Sequence, residues 1–157
     1  MDYGHWKFPY NFDPADWHGF IYRIKEVNTG REYIGKKSFW STTRKKVKGR
    51  KNRKTVRKES DWKSYTSSST HVNDGIKTNG MDNYEFYIES LHKTKASWSY
   101  AEVRKHILED VLRATLADGN RKYLNGQISA VKYLPPKETA EEEKMRIDSF
   151  LVEHKKI

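Results

Sequence analysis

The sequence predicts an α/β domain with a small mixed, mainly antiparallel, three-stranded sheet flanked by helices. Residues 20–25 and 31–35 are rich in β-forming residues and enclose a turn sequence, which is typical of a hairpin. Residues 84–91 alternate apolar and polar side chains, which predicts a third strand. Residues 98–116 repeat apolar side chains at helical spacing, which predicts the main helix.

The composition narrows the class of protein. A chain of 157 residues suffices for one domain, and a net charge of +10 favours a polyanionic partner, of which nucleic acid is the commonest. The absence of cysteine excludes disulfides, thiolate metal sites and a cysteine nucleophile. The first residues lack the pattern of a signal peptide, and no stretch is long and apolar enough to span a membrane. We therefore expect a cytoplasmic protein with no membrane partner.

The two ends of the chain differ from its centre. Residues 1–18 are aromatic and irregular, and we expect them to form an N-terminal arm that packs over a later core. Residues 19–134 are expected to form the central domain, with a short strand or turn before Pro135. Residues 135–157 predict an amphipathic C-terminal helix, whose apolar side chains are Met145, Ile147, Phe150 and Leu151.

The predicted hairpin has a definite register. The turn Val27-Asn28-Thr29-Gly30 separates its strands, and pairing Glu26 with Arg31 makes the numbers of opposed residues sum to 57. Tyr22 then lies opposite Gly35, and Ile24 lies opposite Tyr33. Because side chains alternate along strands, these four residues share one face of the sheet.

Residues 36–58 are the most biased segment, because 12 of these 23 residues are Lys or Arg and none is acidic. One interpretation is a solvated flexible loop. The other is a mobile arm that becomes ordered on nucleic acid, since so dense a run of one charge repels itself until a polyanion neutralises it. The second interpretation gives substrate-binding roles to Lys36, Lys37, Arg44, Lys45, Lys46, Arg50, Lys51 and Arg53, and to Lys63 beyond the segment.

Helical patterns occupy two segments of the central domain. Residues 59–79 are predicted to be helical with an interruption at Ser67-Ser68-Ser69. His106 and Asp110 lie four residues apart on the main helix, where we expect a surface hydrogen bond. The six histidines form no ligand cluster, and no motif of a zinc hydrolase or a nucleotide hydrolase is present. The predicted apolar face of the main helix is Val103, Ile107, Val111 and Leu112.

Two short motifs lie on the predicted hairpin. Phe20-Ile21-Tyr22, ten residues and then Tyr33-Ile34-Gly35 closely resemble the paired signature of the GIY-YIG nucleases, although Phe20 stands at the family's first Gly. Three later segments follow the order of that family, and the resemblance covers about residues 19–130. These segments are Asn83-Tyr84-Glu85-Phe86-Tyr87-Ile88 for its third strand, Ser99-Tyr100-Ala101-Glu102 for its Glu-bearing helix and Tyr123-Leu124-Asn125 for its Tyr-Asn element.

The resemblance implies a catalytic site and a cofactor. Tyr22 and Tyr33 would orient or deprotonate the attacking water, although a phenol with a pKa near 10 is a poor base unless a neighbouring cation lowers that pKa. Glu102 would hold one divalent ion, Mg²⁺ or alternatively Mn²⁺. Gly35, opposite Tyr22, would leave space for a phosphate. The implied catalytic set is completed by Tyr65 and Asn125.

The sequence departs from the family at the catalytic Arg. The family usually places this Arg on the helix after the second motif, beside a Trp and four residues before a His or Tyr, and Asp61 occupies that position here. Arg57 lies one turn earlier and would share a helical face with Tyr65. We therefore assign the phosphate clamp to Arg57, with Lys63 and Arg53 as alternatives.

Together the motifs predict a Mg²⁺-dependent endonuclease that hydrolyses phosphodiester bonds in DNA, with double-stranded DNA as the expected partner. The small size and the basic segment suit a phage or mobile-element protein, which would act in the host cytoplasm. One alternative is a non-catalytic DNA- or RNA-binding protein derived from such a nuclease, which the displaced Arg favours. Another is a basic protein that binds an acidic host protein. No oligomeric state is predicted.

Overall fold

The computed structural model of the protein describes residues 1–130 and 136–147. In this part of the chain the strands are β1 (Gly19–Glu26), β2 (Glu32–Ser38), β3 (Trp40–Lys45), β4 (Lys54–Glu59) and β5 (Tyr84–His92). The α-helices are α1 (Thr70–Asn79), α2 (Lys95–Leu108) and α3 (Ala140–Lys144). Short 3-10 turns lie at Pro14–Asp16 and Met81–Asn83. The predicted α/β class is confirmed.

The central sheet has the strand order β2-β1-β5, and each strand is antiparallel to its neighbour. Tyr22 pairs with Gly35 and Ile24 pairs with Tyr33, which confirms the predicted register. The reversal occurs at Gly30, whose φ of 77° lies in the left-handed region that favours glycine. Isolated parallel bridges at the two edges of the sheet, Lys7 with Tyr87 and Glu32 with Tyr123, make it mixed.

Both faces of the central sheet are covered. On one face the N-terminal arm contributes Trp6 and Trp17 to an aromatic core with Phe20 and Tyr22, and Trp6 Nε1 donates a hydrogen bond to the carbonyl of Trp62 at 2.5 Å. On the other face a smaller cluster forms around Ile21, next to α2. Burial of large aromatic rings offsets the low overall content of apolar residues. The residues of β1 therefore alternate between two different cores.

Strands β3 and β4 form a separate two-stranded sheet that we call the basic ribbon (residues 40–59). Its base is held by the N-terminal arm, since Trp40 Nε1 donates a hydrogen bond to the carbonyl of Trp17 at 3.0 Å. The expectation of a loop is therefore wrong for the residues of β3 and β4, whereas the binding of nucleic acid by this segment stays a prediction. The ribbon contains β-branched side chains, which favour strands, at Thr42, Thr43, Thr55 and Val56. The many Lys and Arg residues around them obscured this pattern in the sequence.

The helix predicted for residues 59–79 begins later than expected. Glu59 ends β4, residues 61–64 form a turn, and α1 starts only at Thr70. The side chain of Ser69 caps the helix by accepting a hydrogen bond from the N–H of Val72 at 3.3 Å. The serine-rich interruption is thus the true start of the helix.

The main helix is shorter than predicted and buries a different face. It ends at Leu108, and Asp110 follows with a φ of 49°. Val111 is fully buried beyond this end, whereas Ile107 is 62% exposed and Leu112 is 41% exposed. The predicted apolar face is therefore wrong, because it assumed that one helix continues through residue 112.

The described part of the C-terminal segment packs against β5 and does not form the expected long helix. Its described part contains only the short helix α3, and the N–H of Ile147 then donates a hydrogen bond to the carbonyl of Glu89 at 2.8 Å. Arg146 forms an isolated antiparallel bridge with Ser90. Phe150 and Leu151, together with residues 131–135 of the predicted strand or turn, lie outside the described residues.

Candidate active site

Three tyrosines meet on the face of the sheet that carries the aromatic core. Tyr22 is 1% exposed, and its ring centroid lies 6.2 Å from that of Tyr33 and 6.0 Å from that of Tyr65. Tyr33 and Tyr65 are half-buried, so this tyrosine cluster (Tyr22, Tyr33 and Tyr65) reaches from the core to the surface. The cluster joins the two hairpin strands to the loop that follows the basic ribbon.

The phenol of Tyr22 occupies the space above Gly35. A Cβ atom at position 35 would overlap the hydroxyl group and the adjacent ring carbon of Tyr22. The expectation that Gly35 leaves room for a phosphate is therefore wrong, since this room holds the Tyr22 ring. Gly35 instead allows Tyr22 to lie flat across β2.

The hydroxyl of Tyr22 stays protonated in this environment. Burial raises the pKa of Tyr22 well above its usual value, and nearby Tyr33, Tyr65 and Glu102 raise it further. Burial also raises the pKa of Tyr65, which shares a hydrogen bond with Tyr22. A neutral phenol donates one hydrogen bond and accepts others, so the cluster is suited to orient a water molecule or a phosphate oxygen.

Glu102 lies on α2 close enough to contribute to the raised pKa of Tyr22. Burial raises the pKa of Glu102, while the nearby charges of His106 and Lys36 lower it. Lys36 is fixed beside it, because its Nζ donates a hydrogen bond to Ser99 Oγ at 2.9 Å and lies 4.3 Å from the Trp98 ring centroid. A partly desolvated carboxylate favours a nearby cation.

Asn125 holds the outer edge of β2 and does not point at the tyrosines. Its Nδ2 donates to the carbonyl of Ile34 at 2.7 Å, and its Oδ1 accepts from the N–H of Ile34 at 3.1 Å. Both polar groups of the buried Asn125 amide therefore form hydrogen bonds with the backbone of one residue, Ile34. Since Ile34 lies between Tyr33 and Gly35, Asn125 positions the second motif.

His106 is a site residue that the sequence interpretation missed. It is 4% exposed, and its Nε2 lies 2.9 Å from the carbonyl of Ile34, so the expected surface hydrogen bond with Asp110 is wrong. Its Nδ1 is buried and has no hydrogen-bond partner among the described residues. The signal in the sequence was its position one helical turn after Glu102.

One family model matches the chain. Residues 5–128 match the family described as "Putative endonuclease segE, GIY-YIG domain". The chain belongs to this GIY-YIG family. The match includes most of the N-terminal arm and stops before the C-terminal segment. No curated protein and no solved structure is significantly similar to the chain.

Lys37 brings a positive charge to the tyrosine cluster of this GIY-YIG domain. Its Nζ lies 4.1 Å from the ring centroid of Tyr65 and 2.7 Å from a carboxylate oxygen of Asp61. Asp61 thus stands beside the tyrosine cluster, as its position in the family's motif implied, but a lysine from β2 supplies the positive charge. No pattern in the sequence distinguishes Lys37 from its basic neighbours.

Arg57 does not share a helical face with Tyr65, because it lies on β4 opposite Thr42. Its guanidinium carbon is 4.0 Å from the ring centroid of Trp40 at the base of the basic ribbon. Lys63 lies in the turn after β4, with its Nζ 3.6 Å from Glu59. The remaining candidate cations are exposed on the ribbon or in its connecting turn: Arg44, Lys45, Lys46, Arg50, Lys51 and Arg53.

The described part of the chain has neither a cluster of metal-ligating side chains nor a helix that could span a membrane. It contains no group of three or more His, Asp or Glu side chains that could hold a metal ion. None of its helices has the length and apolar character needed to span a membrane. Any metal at the GIY-YIG site would therefore depend on few protein ligands.

Proposed function

We propose that this GIY-YIG domain hydrolyses phosphodiester bonds in DNA with the help of one divalent ion. The observation that carries the proposal is the contact of Lys37 with Tyr65 of the tyrosine cluster, together with Glu102 on α2, which is close enough to raise the pKa of Tyr22. Hydrolysis needs an oriented water, a charge to stabilise the phosphoryl oxygens and help for the leaving oxygen. Together these side chains offer all three kinds of group.

Tyr33, like Tyr65, is half-buried and so is placed to contact water, whereas Tyr22 is almost fully buried. Tyr22 packs beside Tyr33 in the core and shares a hydrogen bond with Tyr65. Since the pKa of Tyr22 is raised, its role is to orient through a hydrogen bond rather than to accept the proton of the attacking water.

Glu102 fits a mostly hydrated Mg²⁺, with Mn²⁺ as an alternative. Mg²⁺ keeps several waters and is often bound through one or two carboxylates together with phosphate oxygens of the substrate. The burial that raises the pKa of Glu102 leaves its carboxylate short of stabilising charge, which a divalent cation would supply. When bound, such an ion stabilises the negative charge of the phosphoryl group and of the leaving oxygen.

For the phosphate clamp we propose Lys37 in place of Arg57. The assignment to Arg57 assumed that this residue lies on a helix, but it lies on β4. Lys37, in contrast, lies against the Tyr65 ring. Lys37 is 20% exposed and is paired with the largely exposed Asp61, so an incoming phosphate can compete for it. Arg57 then acts with the basic ribbon in binding DNA.

A second candidate function is nucleic-acid binding without cleavage. It is favoured by one observation, the ion pair of 2.7 Å between Lys37 and Asp61, which neutralises the cation that lies against Tyr65. In this alternative the basic ribbon still contacts the phosphate backbone. The two functions differ in metal-dependent cleavage.

The deciding experiment is incubation of supercoiled plasmid with the protein in Mg²⁺, in Mn²⁺ and in chelator. Nicking that requires the metal is expected for the wild type. Glu102→Gln keeps the shape of the side chain and removes its charge, so DNA binding should persist while nicking is lost at every Mg²⁺ concentration. If the wild type cuts no DNA with either metal, the binding function replaces our proposal.

The matched control is Asp110→Asn, which makes the same chemical change on an exposed residue next to the end of α2. Its φ of 49° is a conformation that Asn tolerates well. Glu109 is unsuitable as a control, because it forms an ion pair with the nearly buried Arg23 at 3.2 Å. Normal nicking by Glu102→Gln would contradict the proposed metal site.

A further inference from the structure

The basic ribbon extends away from the rest of the fold. All of its ladder residues except Trp40, Ser41 and Val56 are exposed. Ten of its twenty residues are Lys or Arg, and its single acidic residue, Glu59, lies at its base. An isolated two-stranded ribbon is marginally stable in water. Lys45 also pairs directly with Lys54, which is destabilising in the absence of an anion.

The two faces of the basic ribbon carry different cations. Residues that pair across an antiparallel ladder share a face, and the faces alternate along each strand. The pairs Thr42 with Arg57 and Arg44 with Thr55 therefore define one face. The pairs Ser41 with Lys58, Thr43 with Val56 and Lys45 with Lys54 define the other. Both arginines of the ladder lie on the first face, and its three lysines lie on the second.

This division matches the chemistry of DNA recognition. An arginine guanidinium forms two hydrogen bonds with one guanine, and a threonine contacts the thymine methyl group or a base edge. A lysine acts as a point charge towards phosphates. Arg57 is also held over the Trp40 ring at 4.0 Å, which restricts the positions of its guanidinium.

The dimensions of the ribbon select one nucleic acid. A ladder of six residue pairs is about 20 Å long. The major groove of B-form DNA is about 12 Å wide and admits a two-stranded β-ribbon. The major groove of double-stranded RNA is too deep and narrow for side chains to reach its bases.

We propose that the basic ribbon enters the major groove of B-form DNA with the face of Arg44 and Arg57 towards the base edges. Lys45, Lys54 and Lys58 then lie on the outer face and contact flanking phosphates. The ribbon thereby gives the protein a preference for particular base pairs beside the cleaved bond. This inference rests on the proposed function only in taking DNA as the substrate.

The test uses the whole protein in chelator, so that binding is measured without cleavage. Preferred sites are first selected from a library of random DNA duplexes, and the affinities for preferred and random duplexes are then compared for Arg44→Ala and Lys45→Ala. These adjacent substitutions remove the same charge from opposite faces of the ribbon. Lys45→Ala should weaken binding to all duplexes equally and lower the slope of log affinity against log salt by about one.

Arg44→Ala should produce the same sequence-independent loss of affinity, and in addition a loss of base preference. The preference at one or two positions should fall by about 5- to 150-fold, the range for one lost arginine–guanine contact. A duplex RNA of the preferred sequence should bind at least about 10-fold more weakly than the DNA, since its major groove excludes the ribbon.

The inference would be overturned by the absence of base preference in the wild type, by an equal effect of the two substitutions on that preference, or by equal binding of duplex RNA. Loss of preference only in Lys45→Ala would also overturn it, because the opposite face would then read the bases. The outcome is separate from that of the proposed function. Metal-dependent nicking without a ribbon-dependent base preference would support the nuclease function and contradict the role of the ribbon. Groove binding without nicking would support the role of the ribbon and contradict the nuclease function.

Discussion

The phenol of Tyr22 lies across Gly35, so that any side chain at position 35 would overlap the Tyr22 hydroxyl. The two residues are direct partners in the β1–β2 ladder and belong to the two signature motifs of the chain. The glycine of the second motif is thus needed by the tyrosine of the first. Their relationship is steric, and it determines where the phenol can lie.

Gly35→Ala should therefore displace the Tyr22 ring. Crowding of this kind in a packed core costs about 1–3 kcal/mol, and a small displacement of a catalytic group can lower the rate by about 10²-fold. Urea unfolding and plasmid nicking measure the two effects. In a Tyr22→Leu background the same Gly35→Ala change should cost less stability, because leucine does not reach across position 35. An equal cost in both backgrounds would contradict the steric explanation.

Tyr22→Phe and Tyr33→Phe should each keep the fold, because the rings that pack in and around the core remain. If the hydroxyls orient the reactants, nicking should fall by about 10²-fold while DNA binding persists. Tyr87→Phe is the control, since Tyr87 lies on the same sheet and its hydroxyl bonds to Glu85 outside the cluster. Full activity in both cluster variants would limit these tyrosines to packing.

Lys37→Ala should reduce nicking more than Arg57→Ala. Removal of one charged group that stabilises the transition state typically lowers the rate by about 10²–10³-fold. Arg57→Ala should instead weaken DNA binding, because Arg57 lies on the basic ribbon against Trp40. Nicking rates at saturating DNA separate the two effects. A greater loss of rate in Arg57→Ala would restore the sequence-based assignment.

The parts of this fold that follow strict periodicities were predictable from the sequence. The β1–β2 register follows from side-chain alternation and a turn with Gly30, and both pairs derived from it, Tyr22 with Gly35 and Ile24 with Tyr33, are present. Glu102 was singled out only by resemblance, since its spacing alone does not distinguish it from other acidic residues on the same helix.

The errors arose where long-range contacts outweigh local pattern. Arg57 was placed on a helix by the position of the family's Arg, and its many basic neighbours hid the strand-forming Thr55 and Val56. His106 was expected at the surface, yet packing of α2 against β2 buries it on the carbonyl of Ile34. Ile34 lies 72 residues away from His106 in the chain, so no local pattern could have indicated this contact.

The last prediction concerns Glu142, which ties the C-terminal segment to β5 and α2 beyond the region of the family match. Burial alone would raise the pKa of Glu142. Its hydrogen bonds outweigh this effect and lower the pKa to about 2. The partners include His92, Ser97 and the N–H groups of Thr139 and Lys93. Ser97 Oγ donates at 2.8 Å and Lys93 N–H at 3.2 Å. The ionised carboxylate therefore stabilises the folded state.

Because the folded-state pKa is depressed, this stabilisation is complete above the ordinary pKa of 4.5 and is lost as the pH falls towards about 2. Glu142→Gln should lower the free energy of unfolding at pH 7 by about 1–3 kcal/mol, the range for hydrogen bonds to a buried charge. The difference from wild type should shrink between pH 4.5 and pH 2. Glu141→Gln is the control, since Glu141 is 53% exposed and pairs with Lys93 only at the surface. Urea unfolding at several pH values measures both variants, and a difference that stays constant with pH would show that the charge of Glu142 does not hold the segment.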